Sequence, residues 1–252
     1  MTQNQTPNPF STNRPASATP QTPLFGLPPT TLGVQPDARL ASAFLTQAFV
    51  WMFAGLLATA GVAFVVQGNP RLLDFALGSY LPLIIAQLAL VFVISGAINR
   101  ISASVALLLF FVYAASLGIT IGLIVSHYTT GSVATAFLSA SAMFGAAAMY
   151  GHVTKRSLAR MGSLLFMGVI GLLVAIVLNL FFNNGVISLV ISVIGVVLFT
   201  ALTAYDVQRI QSGAIAARTG SMEKAAVIGA LHLYLDFINL FLFLLRLLGG
   251  RN

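Results

Sequence analysis

Seven runs of apolar residues, near 42–67, 78–98, 102–126, 131–151, 162–182, 186–207 and 225–248, occupy almost everything beyond residue 41. Each holds about 20 residues or more, enough for a helix to cross a hydrocarbon core about 30 Å thick. Backbone groups in lipid must all be satisfied internally, which leaves helices or a closed barrel. A barrel would show alternating segments of about ten residues, and no such alternation appears. Only 7% of the residues are charged and 58% are hydrophobic, against about 25% charged in a soluble domain. The expected fold class is an all-α integral membrane protein, a bundle of seven transmembrane helices over residues 39–252.

Residues 1–38 differ in kind. They hold eight of the ten prolines among Thr, Ser, Asn and Gln. Such a segment cannot bury enough apolar surface to offset its ordering entropy and reads as a disordered cytoplasmic tail. No early apolar stretch reads as a cleaved signal peptide. The chain has no cysteine, which excludes a disulfide framework and thiolate metal sites. Its net charge of +7 is not a nucleic-acid signal, because most basic residues sit in short loops that orient helices.

Arg14 and Arg39 precede the first run, and Arg100 follows the second. Lys155, Arg156 and Arg160 follow the fourth, and Arg209, Arg218 and Lys224 the sixth. The opposite loops carry Arg71 with Asp74, His127, then Asn183 and Asn184. The positive-inside rule therefore puts the N-terminus in the cytoplasm. Seven crossings leave Arg246 and Arg251 outside, against the bias, and a re-entrant last run would remove the conflict. Gly118 with Gly122, and Gly145-Ala-Ala-Ala148, mark smooth faces for close helix packing.

Two of only five acidic residues lie inside apolar runs. These are Asp206, in Leu198-Phe-Thr-Ala-Leu-Thr-Ala-Tyr-Asp206, and Asp236, in Leu231-His-Leu-Tyr-Leu-Asp236. A charge at the bilayer centre costs about 2.5–3.5 kcal/mol on insertion scales and marks a functional site by default. On the sixth run, Ser188, Ser192, Gly195, Phe199, Thr203 and Asp206 recur at steps of three and four. On the seventh, His232, Asp236, Asn239, Phe243 and Arg246 do the same. Each set lies on one face of its helix, and the two faces are expected to meet. The hydroxyls alone are weak evidence, since Ser and Thr often bond only the carbonyl one turn back.

Two carboxyls in contact cannot both stay ionised cheaply and titrate as a unit. The pair is expected to hold one shared proton as a hydrogen bond near neutrality. Its structural alternative is a fastener between helices. Ionised, it could also bind a hard divalent cation, but two carboxylates are too few for a calcium cage of six to eight oxygens. A transient site fits better than a storage site. Asp206 lies near the helix end and Asp236 roughly 15 Å deep. They meet only if the sixth helix continues through Val207-Gln-Arg-Ile and water reaches them. A cytoplasm-facing vestibule lined by Asp206, Arg209 and Asp236 is the expectation.

Arg100 can latch an aspartate or simply anchor its helix at the interface. Gln87 and Asn179 can extend the polar path or make interhelical hydrogen bonds. His232, one turn before Asp236, can relay protons or pack. His127 and His152 read as interfacial.

The chain resembles the Bax inhibitor-1 family, also called the transmembrane Bax-inhibitor-motif family, over about residues 40–250. The resemblance rests on Ile124-Val-Ser-His-Tyr128, on Ala204-Tyr-Asp-Val207 with Gln208, and on the long motif Leu233-Tyr-Leu-Asp-Phe-Ile-Asn-Leu-Phe241. It implies a seven-helix fold with a central C-terminal helix, and a pH-sensitive calcium leak controlled by an aspartate pair that Asp206 and Asp236 match. Arg100 stands near the place of a latch arginine in some relatives, where a basic cluster is here one residue. Gln87 stands where some relatives carry an acid, which leaves the path less negative.

The reading that follows is a channel without a catalytic cycle or a cofactor. It has calcium as permeant ion and lies in the lipid bilayer of a bacterial plasma membrane. The bacterial host is read from the short loops and from an ending, Gly249-Gly-Arg-Asn252, without a retention signal. The family is also linked to cell-death protection and to membrane-protease control, which implies a regulatory alternative with a membrane protease or other membrane protein as partner. An intramembrane aspartyl protease would also place one aspartate on each of two helices. It would need Gly-x-Gly-Asp where this chain has Leu233-Tyr-Leu-Asp236, and it lacks the Pro-Ala-Leu motif.

Overall fold

Long apolar segments closed by small polar capping residues produce the helices. The structure, a computed structural model, describes residues 38–250. The helices are α1 (Ala38–Gln67), α2 (Pro70–Gly78), α3 (Tyr80–Ala97), α4 (Ala103–Val125), α5 (Thr130–Val153), α6 (Gly162–Phe182), α7 (Gly185–Gln211), α8 (Ala214–Thr219) and α9 (Met222–Leu248). Seven of them, all but α2 and α8, are long and apolar enough to cross a membrane. The expected tail over 1–38 lies outside the described residues except for Ala38, which opens α1.

The caps are local chemistry. The side chains of Asn69, Ser102, Thr129, Asn184 and Ser221 each accept a hydrogen bond from a backbone N–H in the first turn that follows, where an α-helix leaves its donors unpaired. Asn183 closes α6 in the left-handed conformation, with φ of 45°, a conformation Asn tolerates better than most residues. The hydropathy reading missed α2, which begins at Pro70 behind its cap Asn69, because it is only nine residues long. The six-residue α8 escaped for the same reason.

Helix α9 is the axis of the bundle. It packs against α1, α4, α5, α7 and α8, and Leu231, Leu233, Tyr234 and Leu240 on it are fully buried. The other spans turn large apolar side chains outward, such as Phe64, Phe92, Leu138, Phe181 and Val197. Outward apolar faces suit lipid, whereas a helix buried on all sides belongs to a core. α9 runs unbroken for 27 residues, about 40 Å, long enough to cross and not a re-entrant loop.

Lipid supplies no hydrophobic drive for helix association, so close packing and interhelical hydrogen bonds must. Gly118 and Gly122 provide the packing between α4 and α1. A Cβ on Gly118 would stand 2.8 Å from the Thr59 carbonyl oxygen, and one on Gly122 2.9 Å from that of Ala63. Gly145 does not serve as expected: open space surrounds it. The residue on α5 that touches backbone is Gly151, against Ala204 of α7.

Candidate functional site

The two polar stripes do face each other. Ser188, Ser192, Gly195, Phe199, Thr203 and Asp206 are all buried on α7. Phe199 stacks on Phe243 of α9 at 5.9 Å between ring centroids, and a Cβ on Gly195 would collide with the Phe243 ring. The hydroxyls behave as back-bonding groups: Ser192 donates to the Ser188 carbonyl at 2.9 Å and Thr203 to that of Phe199 at 2.8 Å. Asn239 does likewise on α9, donating to the Leu235 carbonyl at 2.8 Å.

Asp206 and Asp236 are 6% and 4% exposed. Helix α7 continues to Gln211, as the meeting of the two aspartates requires. The direct hydrogen bond expected between their carboxyls is absent among the described residues. Asp206 is level with His232, whose Nδ1 lies 3.6 Å from its Oδ1. His232 precedes Asp236 by four residues, about 6 Å along the helix, so Asp206 sits nearer the helix ends than Asp236 does. The Arg209 guanidinium also approaches, with Nη1 3.9 Å from the same Oδ1. Both contacts are beyond hydrogen-bond length. His232 Nδ1 and Asp236 Oδ2 are buried without a hydrogen-bond partner. Native proteins rarely leave such atoms orphaned, and each asks for a functional account.

The expected vestibule takes a different form. A cavity of about 270 Å³ opens where the ends of α3, α7 and α8 meet the first third of α9, with Asn99, Arg209, Arg218 and His232 in its wall. Arg209 lines it as expected. Asp206 and Asp236 are not in its wall, although Arg209 and His232, which are, lie 3.9 and 3.6 Å from Asp206. The wall carries two arginines, Arg209 and Arg218.

Arg100 makes no ion pair among the described residues and is exposed at the end of α3, so no latch is formed. Gln87 is buried, and its amide donates to the Ser116 carbonyl at 3.0 Å and to Thr120 Oγ1 at 2.9 Å. Both bonds join α3 to α4, and neither extends a path to the aspartates. His127 Nδ1 lies 2.9 Å from its own helix at the Leu123 carbonyl. No group of three or more His, Asp or Glu able to hold a metal ion occurs among the described residues.

Two buried connections escaped the sequence reading. Thr59 Oγ1 lies 2.6 Å from the Tyr234 hydroxyl, 2.8 Å from the Ala114 carbonyl and 3.0 Å from that of Gly55. Its one proton goes to a carbonyl, so Tyr234 is the donor to Thr59. A tyrosine inside an apolar run signals such a contact, since its hydroxyl needs a partner when buried. Gln208 clamps the α5–α6 connection, accepting from the Leu158 N–H at 2.7 Å and donating to the Arg156 carbonyl at 2.9 Å.

Comparison with known proteins bears on this arrangement. Residues 41–252 match the family described as inhibitor of apoptosis-promoting Bax1. An uncharacterized protein of Deinococcus radiodurans is 44% identical over 210 residues, covering 83% of this chain and 91% of that one. The inner membrane protein YbhL of Escherichia coli K12 is 41% identical over 225 residues, covering 87% and 96%. A membrane protein of Streptococcus pyogenes serotype M3 is 42% identical over 168 residues, covering 67% and 73%. With seven apolar helices and a match over nearly all of the described residues, the chain is a multi-pass integral membrane protein of the Bax inhibitor-1 family.

Proposed function

We propose that this protein is a pH-sensitive calcium leak whose gate is the carboxyl site of Asp206 and Asp236. One observation carries the reading: two buried acids on the central helix α9 and its neighbour α7, one of them with an unpartnered oxygen. Removing the partner of a buried charge costs about 3–5 kcal/mol, so proton occupancy and helix packing are linked. With a proton on one of the acids, the site carries at most one negative charge, α7 and α9 stay packed and the pore is shut. Loss of that proton leaves two negative charges that repel, loosens the pair and exposes oxygen ligands that a calcium ion can visit in transit. The His232 ring and the Arg209 guanidinium are the other ionisable groups facing Asp206. Arg209 and the cavity supply the water entry, on the cytoplasmic side by the positive-inside rule. The host membrane is read as a bacterial plasma membrane, which the similarity to an inner membrane protein of Escherichia coli supports.

The packing of α9 favours a second reading. Leu231, Leu233 and Tyr234 are fully buried around the axis, as in a regulatory bundle that acts on a membrane protease or other membrane protein, with the acids as its fastener. Reconstitution decides. Liposomes with a trapped calcium dye should show influx that rises between about pH 6 and about pH 8, and both D206N and D236N should flatten that rise. Influx no greater than in empty vesicles at every pH would replace the leak by the regulatory bundle.

A further inference from the structure

Beside the carboxyl site lie two adjoining cavities that the gating reading does not use. The first is an apolar groove of about 450 Å³ between α5, α6 and α7, with Met143, Leu165, Val197, Ala201 and Tyr205 in its wall. It opens sideways, where Val197 is 65% exposed on the face turned toward lipid. The second, of about 370 Å³, lies at the helix ends and is lined by Lys155, Ser157, Gln208 and Arg209. Tyr205 belongs to both. Its hydroxyl rests against Gly162, and the Arg209 guanidinium stands 5.9 Å from its ring centroid. Each volume falls in the range of about 300–1,000 Å³ usual for ligand pockets.

The geometry points to a bound anionic phospholipid, with an acyl chain in the groove and its phosphate on Lys155 and Arg209. The order of polarity is that of a lipid: apolar along α7 from Val197 to Tyr205, then hydroxyl, amide and two cations at the helix ends. Lys155 has no ion pair among the described residues, and Arg209 is shared with Asp206 across 3.9 Å. The mouth therefore carries an excess of positive charge that a phosphate would neutralise, and basic pockets between membrane helices bind anionic head groups in this way. A protein helix filling the same groove would have to end in an acid at the mouth, whereas the bilayer supplies both ends of this ligand everywhere around the bundle. Because Arg209 faces both the mouth and Asp206, the headgroup would compete with Asp206 for its charge. The binding site itself does not depend on the leak reading.

The test uses the full chain, purified and delipidated in detergent, with phosphatidylglycerol or phosphatidylcholine of the same acyl chains added and bound lipid counted by native mass spectrometry. The wild type should retain phosphatidylglycerol in preference to phosphatidylcholine. K155Q should lower phosphatidylglycerol retention about fivefold, the worth of one basic residue at an anionic surface, and leave phosphatidylcholine retention unchanged. V197W, which fills the groove from its exposed wall, should reduce retention of both. Lys155 is exposed, so K155Q decides the matter even where V197W fails to fold. Equal retention of the two lipids by the wild type, undiminished preference in K155Q, or equal capture of soluble glycerol phosphate without lipid would overturn the assignment. So would a groove filled by a second copy of the chain, seen as a stable dimer that excludes lipid.

Discussion

Tyr234 donates a hydrogen bond to Thr59 across 2.6 Å, tying the central helix α9 to α1 at a point where Thr59 also reaches the Ala114 carbonyl of α4. Three helices share one hydroxyl. Tyr234 is fully buried, and its ring meets Phe110 and Tyr113 edge-on at 5.5 and 5.9 Å. Removing the hydroxyl leaves the ring contacts in place, so Y234F isolates the bond. It should lower stability by about 0.5–1.5 kcal/mol, read as a lower midpoint in thermal unfolding in detergent. T59V removes the acceptor as well and strands the Tyr234 hydroxyl, so it should cost more than Y234F. Equal midpoints for Y234F and wild type would mean that the hydroxyl finds an equally good partner elsewhere.

The seam between α1 and α4 gives a steric prediction. A side chain on Gly118 has backbone to meet, the Thr59 carbonyl oxygen at 2.8 Å, and backbone cannot rotate aside as a side chain can. G118V should therefore destabilise by about 1–3 kcal/mol through overpacking. G145V, with open space around it, should remain within about 0.5 kcal/mol of wild type. The same thermal assay compares them, and similar losses in both would show that close approach at Gly118 is not what the glycine provides.

Much of this architecture could be read from the residues. Hydropathy placed all seven spans because a helix needs about 20 apolar residues to cross and each run had them. The inward face of α7 was legible from a period of three and four that put Asp206 in line with Thr203 and Phe199. What was not legible has a common physical cause. The periodicity places a side chain on a face but does not say how far helices slide along one another, and one turn of slide, about 5.4 Å, separates Asp206 opposite Asp236 from Asp206 opposite His232. Arg100 and Gln87 show the same limit. Gln87 lies on α3 and Arg100 in the turn just after it, yet Gln87 turns to α4 and Arg100 stays exposed. The short helices α2 and α8 lie below the length at which apolar character alone is informative.

Gln208 anchors the α5–α6 connection by two backbone bonds, and that connection carries Lys155, Arg156 and Arg160. Q208L abolishes both bonds and leaves the Leu158 N–H and the Arg156 carbonyl without their partner. A net loss of about 1.4 kcal/mol corresponds to about tenfold greater population of the open connection. Limited trypsin digestion in detergent should then cut Q208L after Lys155, Arg156 or Arg160 about tenfold faster than wild type, with the membrane helices intact. An unchanged rate would show that the connection is held by packing alone.

Arg209 supplies the sharpest test of how the carboxyl site reads pH. Its guanidinium lies 3.9 Å from Asp206, and a neighbouring cation favours the ionised form of a carboxyl. The proposed leak opens when both acids are ionised. In R209Q that open site loses the guanidinium that offsets its negative charge, so calcium influx at about pH 8 should fall below wild type. Arg209 is partly exposed, with 23% of its side-chain surface accessible, so solvent screening keeps the loss partial. R209K keeps the charge and should restore most of the wild-type profile. Undiminished influx in R209Q, or a loss that R209K fails to rescue, would show that Arg209 acts through packing on Tyr205 and not through its charge beside Asp206.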